Sequence, residues 1–458
     1  MSGPGETSGP EETSGPEETS GPEERKRLAE DERTVGEFGY RQELSRSLSW
    51  FSLFSVSFSI MSIATGVFLN FTFGMTHLGP VGIWIWPMVG VGQLLVALVI
   101  SELGTRIPLA GAGYQWGARL IGPGYGWFIG ALGILYAAVG VPGIVYLAVA
   151  PLTEHHLPPG HSYGYAIALA SLVGVYTLAG FEAAADVAEE AVDAKRSVPR
   201  AILGSVVVSV VLGMLVLIGF TVAVPSDEVL AAGGLPAVFQ YWLGEGLSRT
   251  FVGVVVFAMF ALMVVSAAVV ARLLFAMARD NVLPGSALLR RVNLTTRTPV
   301  PALLTGYVLN VAVLLFGHNS SNAFGTLVGA TAVLPYLVYL LIVVAYGYRR
   351  RRLDAIDGAF DLGRFAGPVF CASLVYLVAV VLTLTLPDEF RSANHYVLGG
   401  LALAAVWWLV GLRPRLARGS AGAPVIGGHV PLSGDPKTKE TKVTAVITET
   451  EANKENEA

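Results

Sequence analysis

This chain reads as an all-α, polytopic membrane protein that crosses a bilayer about ten times. Three features carry the reading. Of its 458 residues 53% are hydrophobic and only 14% charged, whereas charged residues make up about 25% of a soluble domain. Apolar stretches of about twenty residues recur, each long enough to cross the hydrocarbon core as a helix. Lysines and arginines gather in alternate connections, the pattern by which polytopic proteins fix their orientation. The single cysteine, Cys371, lies in an apolar stretch and excludes an intrachain disulfide framework.

The chain opens with a repeat of SGPEET that runs to Glu24 with a period of six residues. A Pro, Gly and Glu-rich tract cannot bury a core, so residues 1–38 are expected to be a disordered acidic tail. A membrane domain is expected over 39–412 and a second disordered tail over 413–458. The first span, Trp50 to Phe73, holds the small and polar run Ser62, Ile63, Ala64, Thr65, Gly66, Val67, where a helix can break. The second, Gly79 to Glu102, carries Trp84 and Trp86 as an interfacial belt. A loop with Arg106 and Arg119 leads to a third span, Trp127 to Leu152, and a short loop with His155 and His156 follows. A fourth span begins near Tyr163. Further spans are expected at Ala201 to Val224, Thr250 to Met277, Val300 to Phe316, Phe324 to Tyr346, Ala366 to Leu386 and Tyr396 to Leu412. The basic clusters all fall on one side, which places both termini in the cytoplasm.

The fourth span is the unusual one. Its apolar run reaches Tyr176 and then Ala179, Gly180 and Phe181 before acquiring Glu182, Asp186, Glu189 and Glu190 and passing into Lys195, Arg196 and Arg200. Glycine lets the backbone unwind, and a carboxylate at hydrocarbon depth is costly unless it faces a cavity or a partner. Together they describe a broken membrane helix, the device by which many transporters expose backbone groups to a ligand. A cavity-facing Glu182 favours an amine, a guanidinium or a quaternary ammonium, with cation-π help from nearby aromatics. The plainer reading is that Glu182 pairs locally and stabilises the half-helix. Glu189 and Glu190 are expected to form an ion-pair network with Lys195 and Arg196, and with Arg272 and Arg279, which stand seven residues apart on one helix face. Topology alone is the plainer account of those basic residues.

Three stretches, in order, are similar to signatures of one transporter family. SELGTRIPLAGAGYQWGARLIGPGYGW (Ser101 to Trp127), YTLAGFEAAADVAEE followed by DAKRSVPRAI, and SAAVVARLLFAMARDNVLPGSALLRRVN (Ser266 to Asn293) resemble the amino acid-polyamine-organocation superfamily. The resemblance covers Gly39 to Leu412 and implies two inverted repeats of about five spans each, with substrate held between the breaks of two helices. Carried over, the breaks are Ser62 to Val67 and Ala179 to Glu182. Free amides near Thr65 and Gly66 would hold a substrate carboxylate, carbonyls of Tyr176 to Ala179 would accept from its amino group, and Phe181 would be an aromatic lid. One departure stands out. The family has about two more spans between the third and the broken one, where this chain offers only Leu152 to Tyr163, so the first repeat is expected to be incomplete.

The implied function is a plasma-membrane permease for an amino acid, polyamine, choline or similar amine, working by alternating access. The alternative is a non-transporting sensor, subunit or internally deleted paralogue. A sodium site is less expected, because Ala271 stands before Arg272 where the family often has serine, with Ser266 farther along the helix. Proton coupling through Glu182 or Asp186, and uncoupled exchange, both stay open, and no cofactor or metal is expected. Gly124, Tyr125 and Gly126 read as a turn, His155 and His156 lack zinc-site spacing, and the sequon at Asn319 sits in a very short loop. No catalytic motif falls on a span. Basic residues hug the membrane, so no nucleic-acid partner is expected, and the oligomeric state is unspecified.

Overall fold

A computed structural model describes residues 22–149, 170–318, 323–350, 359–387 and 391–423. Their regular structure is helical apart from an isolated parallel bridge between Leu48 and Ala191. All but the last three residues of the SGPEET repeats, His155 and His156, the Leu152 to Tyr163 connection, the Asn319 sequon and most of the C-terminal tail lie outside the described residues.

A short amphipathic helix, α1 (Pro22–Glu37), precedes the bundle. The hydroxyl of Ser49 accepts the Ser52 amide and starts α2 (Trp50–Met61), which yields at Ser62 to α3 (Ile63–Leu78). A 3₁₀ turn at Gly79–Trp84 leads to α4 (Ile85–Arg106), followed by α5 (Ala112–Leu120) and α6 (Pro123–Val149). The broken helix supplies α7 (Leu172–Thr177) and α8 (Ala183–Asp186). Then come α9 (Ala194–Ala223), α10 (Asp227–Arg279), the single turn α11 (Ser286–Leu289), α12 (Val300–His318), α13 (Ala323–Arg349), α14 (Ala366–Thr385), α15 (Arg391–Trp407) and α16 (Arg413–Ala417).

Seven helical runs among the described residues are long and apolar enough to span a membrane. The first, Trp50–Arg106, is 57 residues long and holds two of the expected spans. With the shorter apolar helix Val300–Leu315 and the broken helix, every expected span has helix among its described residues. The fold is an all-α polytopic bundle. α9 packs on α4 and α2, α13 packs on α6 and α14, and α3 meets α7, so the broken pieces sit at the centre. Outer faces stay apolar: Phe257, Val375 and Leu403 are each at least 70% exposed, as suits helices whose surroundings are lipid.

Four stretches differ from the sequence reading. Pro22–Glu37 is helical and Asp31, Val35 and Phe38 are buried, so the docked part of the chain starts well before residue 39. The expected loop after the second span contains α5, whose residues are almost all buried; its small residues and Trp116 pack inside the bundle. α10 begins at Asp227, capped by Ser226, and bends at Gly233, Gly234 and Gly244. Its charged ends and glycines hid that first part from a hydropathy scan. Past residue 412 the chain still docks, with the Gly422 amide donating to the Asp280 carbonyl at 2.8 Å.

Candidate substrate site

The first break is a single residue. Ser62 adopts φ 28°, outside the helical region, and ends α2. Its carbonyl then receives the amides of Thr65 (3.0 Å) and Gly66 (2.8 Å), and its hydroxyl donates to Thr65 Oγ1 at 2.7 Å. Those two amides are therefore occupied by the chain itself. The expected carboxylate cradle at Thr65 and Gly66 is corrected: the turn that begins α3 consumes its donors.

The second break is wider. α7 ends at Thr177, and Gly180 takes φ +100°, a value side chains rarely adopt. The carbonyls of Tyr176, Thr177, Leu178 and Ala179 accept no backbone hydrogen bond among the described residues. The resemblance implied unwound carbonyls over this stretch, and Thr177, Leu178 and Ala179 are buried. The two breaks lie against each other. A Cβ on Gly66 would strike the Thr177 side chain, and one on Gly180 would strike Ile60. The hydroxyl of Ser57 joins them, donating to the Phe181 carbonyl at 2.7 Å and accepting the Ala184 amide at 3.0 Å.

Between the breaks is a cavity of about 150 Å³. Ser62, Thr65, Gly66, Tyr176, Ala179, Gly180 and Glu182 all border it. Ala64 is exposed instead, on the far face of α3. Phe181 is fully buried and stacks on Tyr339 with ring centroids 5.1 Å apart, so it is a packing residue and does not lid the cavity. The sequence reading missed Tyr136 and Tyr336 on the wall and Tyr339 behind it. Tyr336 and Tyr339 stand one helical turn apart on α13, and polar-tipped aromatics inside a span were the signal available. The hydroxyl of Tyr336 donates to the Val175 carbonyl at 2.7 Å. That of Tyr339 accepts the Gly180 amide at 2.8 Å and donates to the Glu182 carboxylate.

Charge on the wall has one sign. Asp186, one turn beyond Glu182, also borders the cavity, and among the described residues no Lys, Arg or His does. Glu182 has no basic partner among the described residues. The cavity wall thus carries carboxylates, residues of the unwound segment and tyrosines. A positive group is the ligand chemistry such a wall favours. Ser266 lines the cavity as well, whereas Ala271 is buried without an oxygen to offer. Among the described residues no three His, Cys, Asp or Glu side chains converge as metal ligands.

The arginine-rich end of the bundle is closed. Arg279 grips buried Glu189 at 2.6 and 3.1 Å, and Arg272 grips Glu190 at 2.7 and 3.1 Å. Both expected partners on α10 are in place, and the paired forks are the strong geometry for such groups. Lys195 and Arg196 are not part of it. Lys195 approaches Glu30 of α1 at 3.6 Å, and Arg196 is exposed. A strap not anticipated from the sequence crosses this end. Ser47 and Leu48 donate to the Glu190 carbonyl, the Val192 amide returns to Leu48, and Arg46 reaches Ala191 and Asp31. The Tyr40 ring lies 3.7 Å from the Arg279 guanidinium, and its hydroxyl donates to Asp280 at 2.6 Å. Tyr114 donates to the other Asp280 oxygen at 2.6 Å. Burial raises the Asp280 carboxyl above its ordinary range, against the pull of Tyr114, Tyr40, Arg279 and Arg119.

Comparison with known proteins finds permeases and transporters. The amino-acid permease BAT1 of Arabidopsis thaliana is 25% identical, over 82% of this chain and 94% of its own length. The thiamine transporter thi9 of Schizosaccharomyces pombe is 22% identical over 82% and 84%, and the GABA-specific permease of Saccharomyces cerevisiae 22% over 83% of each. A family model described as amino acid permease matches residues 153–410, more than half of the sequence. The chain belongs to the amino acid permease family.

Proposed function

We propose that this transporter moves a small organic cation, an amine-bearing amino acid, polyamine, choline or similar compound, across the plasma membrane by alternating access. The family points to a transporter rather than an enzyme. One observation carries the choice of substrate. Glu182 faces the central cavity with a tyrosine hydroxyl as partner and no basic side chain, and Asp186 adds a second carboxylate to the same wall. The relatives are named for amino acids, GABA and thiamine, compounds whose nitrogen can carry positive charge, which suits this wall.

Access runs from the outer face to the end closed by Glu189–Arg279 and Glu190–Arg272, which we place in the cytoplasm with both termini because the arginines cluster there. Opening that end breaks the pairs and lifts the strap over Glu190. Coupling to protons, carried by Glu182 or Asp186, fits the cavity better than coupling to sodium.

Uptake of a radiolabelled panel of amino acids, polyamines and choline into proteoliposomes tests the reading. Saturable uptake of cations, with Glu182→Gln weakening cations far more than neutral amino acids, is the expected result. Equal loss for both classes sinks the substrate-charge assignment.

A second reading, that of a protein no longer transporting, has one observation behind it. The alignment with BAT1 runs over 487 positions, more than the 458 residues this chain has, so this chain is gapped against it. Gaps of that kind are what missing spans would leave. Folded protein that takes up nothing from the panel would favour this second reading.

A further inference from the structure

At the arginine-rich end, well away from the central cavity, the single turn α11 and the residues after it stand off the side of the bundle. A groove of about 620 Å³ opens between them and the first half of α12. Leu288 and Val292 form one wall, Leu304, Val308 and Leu309 the other, and Arg291 and Asn293 line it too. The α12 wall continues into an exposed apolar face carrying Tyr307 and Leu315. That is the face a spanning helix turns toward acyl chains, so a polar peptide has no place along it.

Charge at this groove is uncompensated. From Asn281 to Leu353 the sequence holds no Asp or Glu, yet Arg290, Arg291 and Arg297 fall within the short stretch beside the groove. All three are exposed, and none has a carboxylate within ion-pair distance among the described residues. Next to them Leu294 is 94% exposed and Leu288 54%. Large apolar side chains offered that openly, interleaved with arginines, match a layer in which headgroups and hydrocarbon meet. Water alone matches only the arginines.

We propose that this groove binds one anionic glycerophospholipid from the adjoining leaflet. Its phosphate diester lies against Arg291, with Arg290 and Arg297 close by, and an acyl chain lies between Val292 and the Leu304, Val308 and Leu309 face. Leu294 and Leu288 dip into the leaflet around it. α12 packs on α10, the helix that carries Arg272 and Arg279. An occupied groove therefore braces one side of the closed end.

Native mass spectrometry of the full chain, released in mild detergent from vesicles of equal phosphatidylglycerol and phosphatidylcholine, reads the site directly. The expected spectrum retains phosphatidylglycerol in preference to phosphatidylcholine. Arg290→Gln with Arg291→Gln cuts the preference by about fivefold per arginine, the weight of one basic residue near an anionic surface. Val308→Trp, which fills the groove at an exposed position, removes the bound lipid while leaving the gel-filtration profile intact. Equal retention of the two lipids overturns the proposal, as does retention indifferent to both variants. Displacement by millimolar inorganic phosphate overturns it too, since the site would then belong to a free anion.

Discussion

The hydroxyl of Tyr339 is shared between the Gly180 amide and the Glu182 carboxylate, so one side chain from α13 fixes both the bend and the charge of the broken helix. Removing that oxygen alone is a clean test. Tyr339→Phe keeps the ring stacked on Phe181 and leaves a buried N–H and a carboxylate without their partner. Hydrogen bonds to charged groups are worth about 1.5–3 kcal/mol, so uptake should fall by about tenfold or more. Thermal unfolding should fall with it. Unchanged kinetics would show that Glu182 is held by the backbone alone.

The two breaks touch at glycine. Gly180→Ala places a Cβ against Ile60 at a residue with φ +100°, and strain of that kind costs about 1–3 kcal/mol. Ile60→Ala clears the space but leaves the dihedral strain. The double variant should therefore recover part of the lost unfolding temperature. Full recovery would mean that the steric contact is the whole cost, and none that it is the backbone.

Glu190 and Arg272 are the more accessible of the two closing pairs, with side chains 11% and 14% exposed. Glu190→Gln removes the charge from a fork of two bonds and weakens the closed end without leaving a fully buried ion behind. The lone Cys371 allows a direct readout. In a Cys371→Ser background, a cysteine at Ser266 on the cavity wall should react severalfold faster with a thiol reagent applied from the arginine-rich side when Glu190 is Gln. An unaltered rate would assign the pair to folding alone.

How much of this was legible in the sequence follows from the physics of each residue. Ser62, Gly180 and Glu182 announced themselves because a small, flexible or charged residue inside an apolar run weakens the span unless the helix breaks or a cavity opens there. Arg272 and Arg279 did so by their seven-residue spacing. Partners brought by distant helices left no such trace: Tyr339 looks like any aromatic in a span until Gly180 is placed beside it. The amides of Thr65 and Gly66 were misjudged because a sequence shows that a helix breaks, not where the freed donors go. Here the Ser62 carbonyl takes both. The strap from Phe38 to Leu48 leaves no trace in the sequence, because its partners are distant until Arg46 meets Asp31 and Tyr40 meets Asp280.

Asp280 gives a prediction in pH. It sits just past the end of α10, 3% exposed, between Tyr40, Tyr114 and Gln115, with Arg279 and Arg119 nearby. Burial raises its carboxyl above the ordinary value of 3.8 in the folded chain. The native state therefore holds this proton more tightly than the unfolded state does. Its contribution to stability is full below 3.8 and is lost as pH climbs through the raised value. Asp280→Asn removes the titration while its side-chain oxygen can still accept from a tyrosine. Unfolding temperatures measured across a pH series should show the wild type losing ground to the variant as pH rises above 3.8 and through the raised value. The subtraction cancels every other titrating group that both proteins share, Glu182 and Asp186 included. A difference that instead grew in favour of the wild type with rising pH would mean that Arg279 and Arg119 outweigh burial. Asp280 would then be an ionised anchor for the strap, and acid would release it.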